Sequence, residues 1–319
     1  MNQFPKDALR FQELFGTEEQ CETALFNLRW PKGFICPNCE HDDGGEIKTR
    51  GLIQCRLCGR QTSVTAGTIF HKTHLPLRVW FWVIYQMSQD KGGVSATRLA
   101  AQLRRPYKTM WHVLHKLRHA MGRRDEGISL AGLIEMDEAK LGPEARRPAR
   151  ENEEDKRRPR KKPYGLPAKD GSRKTIVEVL ILTEAERFHA GNVAMKPLDA
   201  LGFNSIREFI ESRAEPEQWY RTDAHHSHWV LRQLSPKFKI TKSDEAEGPD
   251  ALPCVHRVIN VLKAFLMGTY FGVSAKYLPG YLNEFCFRFI RRDSIQTIPH
   301  SLLLACLFTQ PMTYAELRL

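Results

Sequence analysis

Residues 128–142 read ISLAGLIEMDEAKLG, and the alternation within this stretch decides the fold. Ile128, Leu130, Ile134 and Met136 fall on one side of an extended strand, whereas Glu135 and Asp137 fall on the other. An ionised carboxylate leaves water only with a partner, and where several acids converge a cation is the commonest partner. Asp137 taken alone reads equally well as a turn or cap residue. Its weight comes from its surroundings. Upstream lie a cysteine quartet of metal-binding type and a basic helical segment; downstream lie a second strand-ending Asp and a helix carrying His and Lys.

A chain of 319 residues predicts two to three domains, and 42% apolar residues suffice for at least one sizeable core. Lys and Arg number 48 against 37 Asp and Glu, a net charge of +11, which favours a polyanionic partner, nucleic acid first. No apolar run approaches the ~18 residues that span a bilayer, and MNQFPKDALR lacks the apolar core of a signal peptide. A cytoplasmic protein with no membrane partner is therefore expected. Four of the eight cysteines (Cys21, Cys254, Cys286, Cys306) are scattered among apolar residues, as reduced core thiols are.

The other four form Cys36-x-x-Cys39 and Cys55-x-x-Cys58, separated by fifteen residues. That spacing suits two knuckles closing a tetrahedral site on a structural zinc ion, with no position open to substrate. The preceding residues 5–28 read as amphipathic helix with a cap-like Thr17. Residues 76–121 are helical by period: an aromatic run from Trp80 to Tyr85, a break at Gly92-Gly93, a helix capped by Ser95, a turn at Arg104-Arg105-Pro106, and a helix from Tyr107. The last helix is expected to expose Lys108, Thr109, His112, His115, Lys116 and Arg118. Two readings stay open for this pair: a helix-turn-helix whose second helix enters the major groove of DNA, or a helical hairpin with a solvated basic face.

Beyond Asp137, residues 143–163 are charged without apolar period and read as a mobile loop or as a phosphate-tracking arm. Strands are predicted over 175–182, near 188–195 and over 218–222, the last ending at Asp223, with a helix between whose capping box is Ser205 with Glu208. This order suits a mixed α/β sheet. His225, His226 and His228 read as metal ligands or as loop and helix start. A further helix buries Val255, Ile259, Leu262 and Leu266, while His256, Asn260 and Lys263 share an arc of about 60°. Polar residues on one stripe can point together into a site. A buried aromatic helix (278–292) and a closing helix complete the chain.

Several of these segments in this order, RWPKGFICPNC, CRLCGRQTSVTAGTIFH, YKTMWHVLHKLRHAM, MDEAKLG, RTDAHH and HRVINVLKAFLMGTYFGVSAKYLPGYLNEFCFRFIRR, resemble bacterial insertion-sequence transposases with an N-terminal zinc ribbon and a DDE-type catalytic domain. The likeness runs from about residue 10 to 293. It implies a multidomain α/β protein: an N-terminal helical segment (1–28), a zinc ribbon (29–72), a helix-turn-helix-like segment (73–125), a ribonuclease H-like catalytic domain (126–300) and a C-terminal helix (301–319). It also implies an enzyme that binds the terminal inverted repeats of its element and cuts and joins double-stranded DNA with two Mg²⁺ or Mn²⁺ ions, acting as a dimer or higher assembly. By this likeness Asp137 and Asp223 take the first two acid positions. The third lies seven residues before a basic residue, which makes it His256, with Lys263 on a phosphate. His departs from the acidic pattern, so Asn260, or Glu245, Glu247 or Asp250, is kept as an additional oxygen ligand. The alternative is a zinc-ribbon protein or decayed transposase that binds DNA without cutting it.

Overall fold

The computed structural model describes residues 4–5, 7–141, 175–184, 189–198, 202–223, 226–240 and 252–318. The charged stretch 143–163 and the acids Glu245, Glu247 and Asp250 lie outside the described residues, as does His225. The chain divides into two units, one running to Arg124 and resuming at Arg291, the other running from Asp125 to Ile290. Sequence reading had placed residues 126–300 in one domain; residues 291–300 belong to the first unit instead.

In the first unit, α1 (Ala8–Phe15), which is followed by α2 (Glu18–Arg29), packs Phe11 against Tyr85 and Phe15 against Phe81 of α3 (Leu77–Gln89). Thr17 and Gln20 form a reciprocal capping box that starts α2. The N-cap of α3 is Pro76, which offers no side-chain acceptor. Glu18 supplies it from α2: its carboxylate accepts from the Leu77 N–H at 2.6 Å and the Arg78 N–H at 3.2 Å. Between these helices, β1 (Gly44–Ile47), β2 (Leu52–Cys55) and β3 (Gln61–Thr62) form an antiparallel sheet. Ser95 caps α4 (Ala96–Leu103) through the Arg98 N–H at 3.1 Å. Arg104 then turns left-handed, φ 49°, and Pro106 keeps Arg105 from continuing the helix before α5 (Tyr107–Asp125).

The second unit is a three-layer α/β structure. Its strands are β4 (Leu133–Leu141), β5 (Thr175–Glu184), β6 (His189–Leu198), β7 (Trp219–Thr222) and β8 (Phe238–Ile240), in the spatial order β6-β5-β4-β7-β8. β4 is central; it runs antiparallel to β5 and parallel to β7. The three-residue β8 was missed in the sequence because so short a run shows no period. The alternation divides the packing as expected from Leu130 on: Leu130, Ile134 and Met136 are buried with Ile206, Phe209 and Ile210 of α6 (Phe203–Arg213) and with Val230 and Leu231, whereas Ile128, ahead of the strand, is only half-buried. The short helix α7 (Leu231–Leu234) lies in that layer. On the other face Ala139, Val177, Val179 and Ile181 pack with Val255, Ile259, Leu262 and Leu266 of α8 (Pro253–Gly268) and with Leu282 and Phe285 of α9 (Leu278–Ile290). Each such side chain withdrawn from water contributes about 1.5–3 kcal/mol. The expected capping box at Ser205 is not formed, because α6 begins earlier, with extended Gly202 as its N-cap, and Ser205 falls inside the first turn.

The first unit is completed by α10 (Ile298–Phe308) and α11 (Tyr314–Arg318). Leu302, Leu303 and Cys306 are fully buried, and the Cys306 carbonyl accepts from the Ile69 N–H at 3.0 Å. No helix among the described residues is long and apolar enough to cross a membrane.

Candidate active site

The four ribbon cysteines converge as their spacing requires. Cys36 and Cys58 sulfurs lie 3.6 Å apart, as do those of Cys39 and Cys55, and all four ligand atoms fall within 4.8 Å of one another. Four sulfurs bound tetrahedrally at Zn–S ≈ 2.3 Å would stand about 3.8 Å apart, so the cluster fits Zn²⁺. The Arg60 N–H, aimed at the Cys58 sulfur, and the neighbouring cysteine sulfurs lower that thiol to about 6, while Cys39 is pushed up by burial and by the sulfurs around it. Trp30 and Phe34 pack behind Cys36 and Cys55 as the ribbon's small core. A methyl group at Gly44 would meet the Phe34 ring at 2.7 Å, so glycine is required there by close approach.

The acid site is built by strand register. β4 and β7 run parallel with Met136 opposite Thr222, so the residues that follow, Asp137 in β4 and Asp223 just past the end of β7, emerge side by side. Both stand where the strand order reverses about β4, the crevice in which open α/β sheets bind ligands. From the α8 side, His256 brings Nε2 to 3.2 Å from Asp137 Oδ2. From the opposite face, wholly buried His228 lies with Nδ1 2.9 Å from Asp223 Oδ1, in contact with the Thr222 hydroxyl, and with Nε2 3.4 Å from Glu138 Oε2. Glu138, Asp223 and His228 form a second group whose ligand atoms all lie within 4.8 Å of one another.

Burial raises the Asp137 carboxyl above the usual range; the Glu138 N–H and His256 pull it down, and Asp223 raises it again. Glu138 is likewise raised by burial, with His228 opposing and Asp223 and Asp137 adding to the rise. Carboxyls that repel one another in a half-dry crevice are stabilised by a bound cation. The donor set, carboxylate oxygens with imidazole nitrogens, can hold a divalent metal ion.

Of the residues singled out in the sequence, Asp137 and His256 meet and the ladder sets Asp223 beside Asp137, but the three do not converge within the 4.8 Å that joins Glu138, Asp223 and His228. Asn260 and Lys263 follow His256 along α8, one and two turns on, and both are exposed. Glu138 was not identified, and His228 was one of three candidate histidines. Glu138 follows Asp137 on a strand and so points to the opposite face, yet Asp223, just past the end of β7, can be reached from that face. The run of three histidines signalled a site without saying which imidazole serves it. Glu135, read as one of two convergent acids, does share the face of Asp137, but its partner is backbone: its Oε2 accepts from the Cys254 and Val255 N–H groups, each at 2.9 Å.

The basic face expected on α5 needs correction. Lys108 is exposed and Thr109 and His112 are half-buried, but Arg118 is 1% and His115 3% exposed. The buried arc of α5 exceeds one stripe because the helix is enclosed on several sides, as by Tyr314, whose ring packs 5.3 Å from that of His112. Burial lowers His115 to about 3, which leaves it neutral at pH 7. Lys116 is half-buried and donates to the Ile69 carbonyl at 3.4 Å. Exposed positive charge collects instead at the α4–α5 turn and the start of α5, on Arg104, Arg105 and Lys108.

Two family models match the chain. One, described as a transposase zinc-ribbon domain, covers residues 16–61; the other, described as an ISXO2-like transposase domain, covers residues 129–289, half of the 319-residue chain. A Halobacterium salinarum protein described as an uncharacterized protein in transposable element ISH50 is 26% identical over 127 residues, which cover 39% of this chain and 42% of that protein. The chain therefore spans less than half the length of the curated relative that it matches. No solved structure matches it.

Proposed function

Because the chain belongs to the ISXO2-like transposase family, we propose that it is the DNA-cutting and DNA-joining enzyme of an insertion sequence, acting on the terminal inverted repeats of the element and on target DNA. The observation that carries this reading is the parallel β4–β7 register, which sets Asp137 beside Asp223 with His256 at 3.2 Å from Asp137. The strand order β6-β5-β4-β7-β8, antiparallel on one side of β4 and parallel on the other, supports a ribonuclease H-like core.

In this reading Asp137, Asp223 and His256 hold two divalent ions, with Asn260 as a further oxygen donor. The ions, when bound, would make an attacking water or 3′-hydroxyl nucleophilic and offset charge on the leaving oxygen. The rest falls to the chain itself. The buried His228 imidazole, held on its far side by Glu138, fixes the rotamer of Asp223, as outer partners fix a ligand. Lys263, exposed on the same stripe of α8 as His256, contacts a backbone phosphate. The turn before α5 and its first residues approach DNA as the start of a recognition helix does, with the zinc ribbon beside them in sequence. Pairing two element ends implies at least two copies.

The reading is tested by incubating the protein with a labelled duplex carrying the terminal repeat of its own element, in Mg²⁺ and Mn²⁺ separately. Strand cleavage followed by joining is expected; retention of the duplex with no metal-dependent cut in either metal would leave a DNA-binding protein only. Two further outcomes follow. Imidazole favours Mn²⁺ over Mg²⁺ relative to carboxylate, so native cleavage should be faster in Mn²⁺, and His256→Glu should narrow or reverse that preference; a wider Mn²⁺ preference in the variant refutes the assignment of His256. For the duplex itself, Lys108→Ala and Arg104→Ala should each weaken binding across sequences and lower the slope of log K against log salt by about 1. Arg118→Ala should leave that slope intact and lower Tm by roughly 5 °C. A salt slope that falls only for Arg118→Ala would invert this interface.

A further inference from the structure

Helix α8 begins without a cap of its own. Its N-cap residue, Leu252, has no side-chain acceptor, and Pro253, at the first helical position, has no N–H to satisfy. The first donors are therefore the N–H groups of Cys254 and Val255, and both go to one oxygen of Glu135, a residue of β4 more than a hundred positions earlier that is 1% exposed. The next donor, the His256 N–H, already bonds within the helix, to the Leu252 carbonyl at 3.1 Å. The order of contacts along the two elements is what matters. On β4, Glu135 and Asp137 point the same way about 6.8 Å apart; on α8, the backbone at 254 and 255 meets the first and the side chain at 256 meets the second.

We propose that Glu135 is a positioning residue for the catalytic centre: by gripping the first turn of α8 it fixes the rotation and rise of the helix on β4, and so sets the His256 imidazole against Asp137. The proposal rests on the reading that Asp137 and His256 hold divalent metal. The same device occurs in the first unit, where the Glu18 carboxylate caps α3. No proposed ligand follows in the turn that Glu18 holds, so it serves as a control: a cap likewise supplied from another element, with a structural role alone.

The test measures Mn²⁺ affinity of the full-length, zinc-loaded protein by electron paramagnetic resonance of free Mn²⁺, with Tm followed in parallel. Glu135→Gln keeps an oxygen acceptor of the same reach and should bind Mn²⁺ within about threefold of native. Glu135→Ala should lose affinity about 10- to 100-fold, the range for residues that orient a metal ligand. Glu18→Ala should lower Tm without moving Mn²⁺ affinity. Should Glu135→Ala fail to fold, Glu135→Asp, one methylene too short for both N–H groups, replaces it with an expected loss of several-fold. If the Glu135 variants lower Tm as Glu18→Ala does and bind Mn²⁺ as native does, Glu135 is a cap and the proposal is overturned. Asp137→Asn and His256→Ala separate the two levels of inference. If they too bind Mn²⁺ as native, the metal reading itself has failed; if they lose Mn²⁺ while the Glu135 variants keep it, only the positioning role has.

Discussion

Asp137→Asn should reduce strand cleavage and joining by on the order of 10³-fold or more while leaving duplex affinity unchanged. The amide is nearly the shape of the carboxylate, so the strand and the His256 contact, 3.2 Å from Asp137 Oδ2, are preserved in outline. What goes is the charge at the point where β4 and β7 deliver their two acids side by side. Metal-assisted stabilisation of transition-state charge is worth several kcal/mol, and each 1.4 kcal/mol is a factor of ten in rate. Asp223→Asn should do the same, and the double variant should be little worse than either single one, since groups that act as a unit are not additive. The measurement is a denaturing gel of the labelled terminal-repeat duplex beside a gel shift of the same duplex. Cleavage by Asp137→Asn within tenfold of native would remove Asp137 from the chemistry.

The second large effect concerns the ribbon. Apparent binding free energies of about 10–16 kcal/mol hold structural zinc in modules of this kind, more than so small a core can replace. That core is Trp30 and Phe34 against Cys36 and Cys55, with Phe26, Ile53 and Val64 at its edge. Chelation of zinc, or Cys55→Ser, should therefore open residues 16–61 to proteolysis while β4, β5, β6 and β7 with helix α8 stay protected in their own sheet and core. Limited proteolysis with mass spectrometry reads both regions at once. A ribbon that resists protease after complete removal of zinc would show that the apolar contacts suffice.

How much of this was legible in the sequence depends on whether a feature is carried by local pattern or by pairing between distant segments. The C-x-x-C pairs announce their metal because each knuckle is a local turn that aims two sulfurs at one point. The two faces of β4 were legible because strand parity is local, and the inward face of α8 because Val255, Ile259, Leu262 and Leu266 repeat at helical spacing. The nearness of Asp137 and Asp223 was an inference from two strand ends; it required β4 and β7 to be neighbours, which no residue within either strand specifies. Glu138 was missed, and His228 was not set apart from His225 and His226, for a related reason: their meeting depends on Asp223 standing past the last pair of the ladder, in reach of both faces. The burial of Arg118 was illegible because a basic residue on a helix reads as exposed until the elements around the helix are known. Glu135 has the same moral in reverse, since an acid beside Asp137 looked like a cation ligand and proved to be holding a helix.

The first unit is built from both ends of the described chain, with the second unit inserted between them. On the ribosome, α3 with its buried face of Trp80, Phe81 and Ile84 emerges roughly 200 residues before α10, the helix that completes its packing. At 5–20 residues per second that is a wait of about 10–40 s with an aromatic surface uncovered, long enough for chaperone capture or for association with another nascent copy. A message truncated anywhere within the insertion would yield a polypeptide that carries the ribbon yet lacks the helix that covers α3, so the first unit closes only after translation has passed through the second.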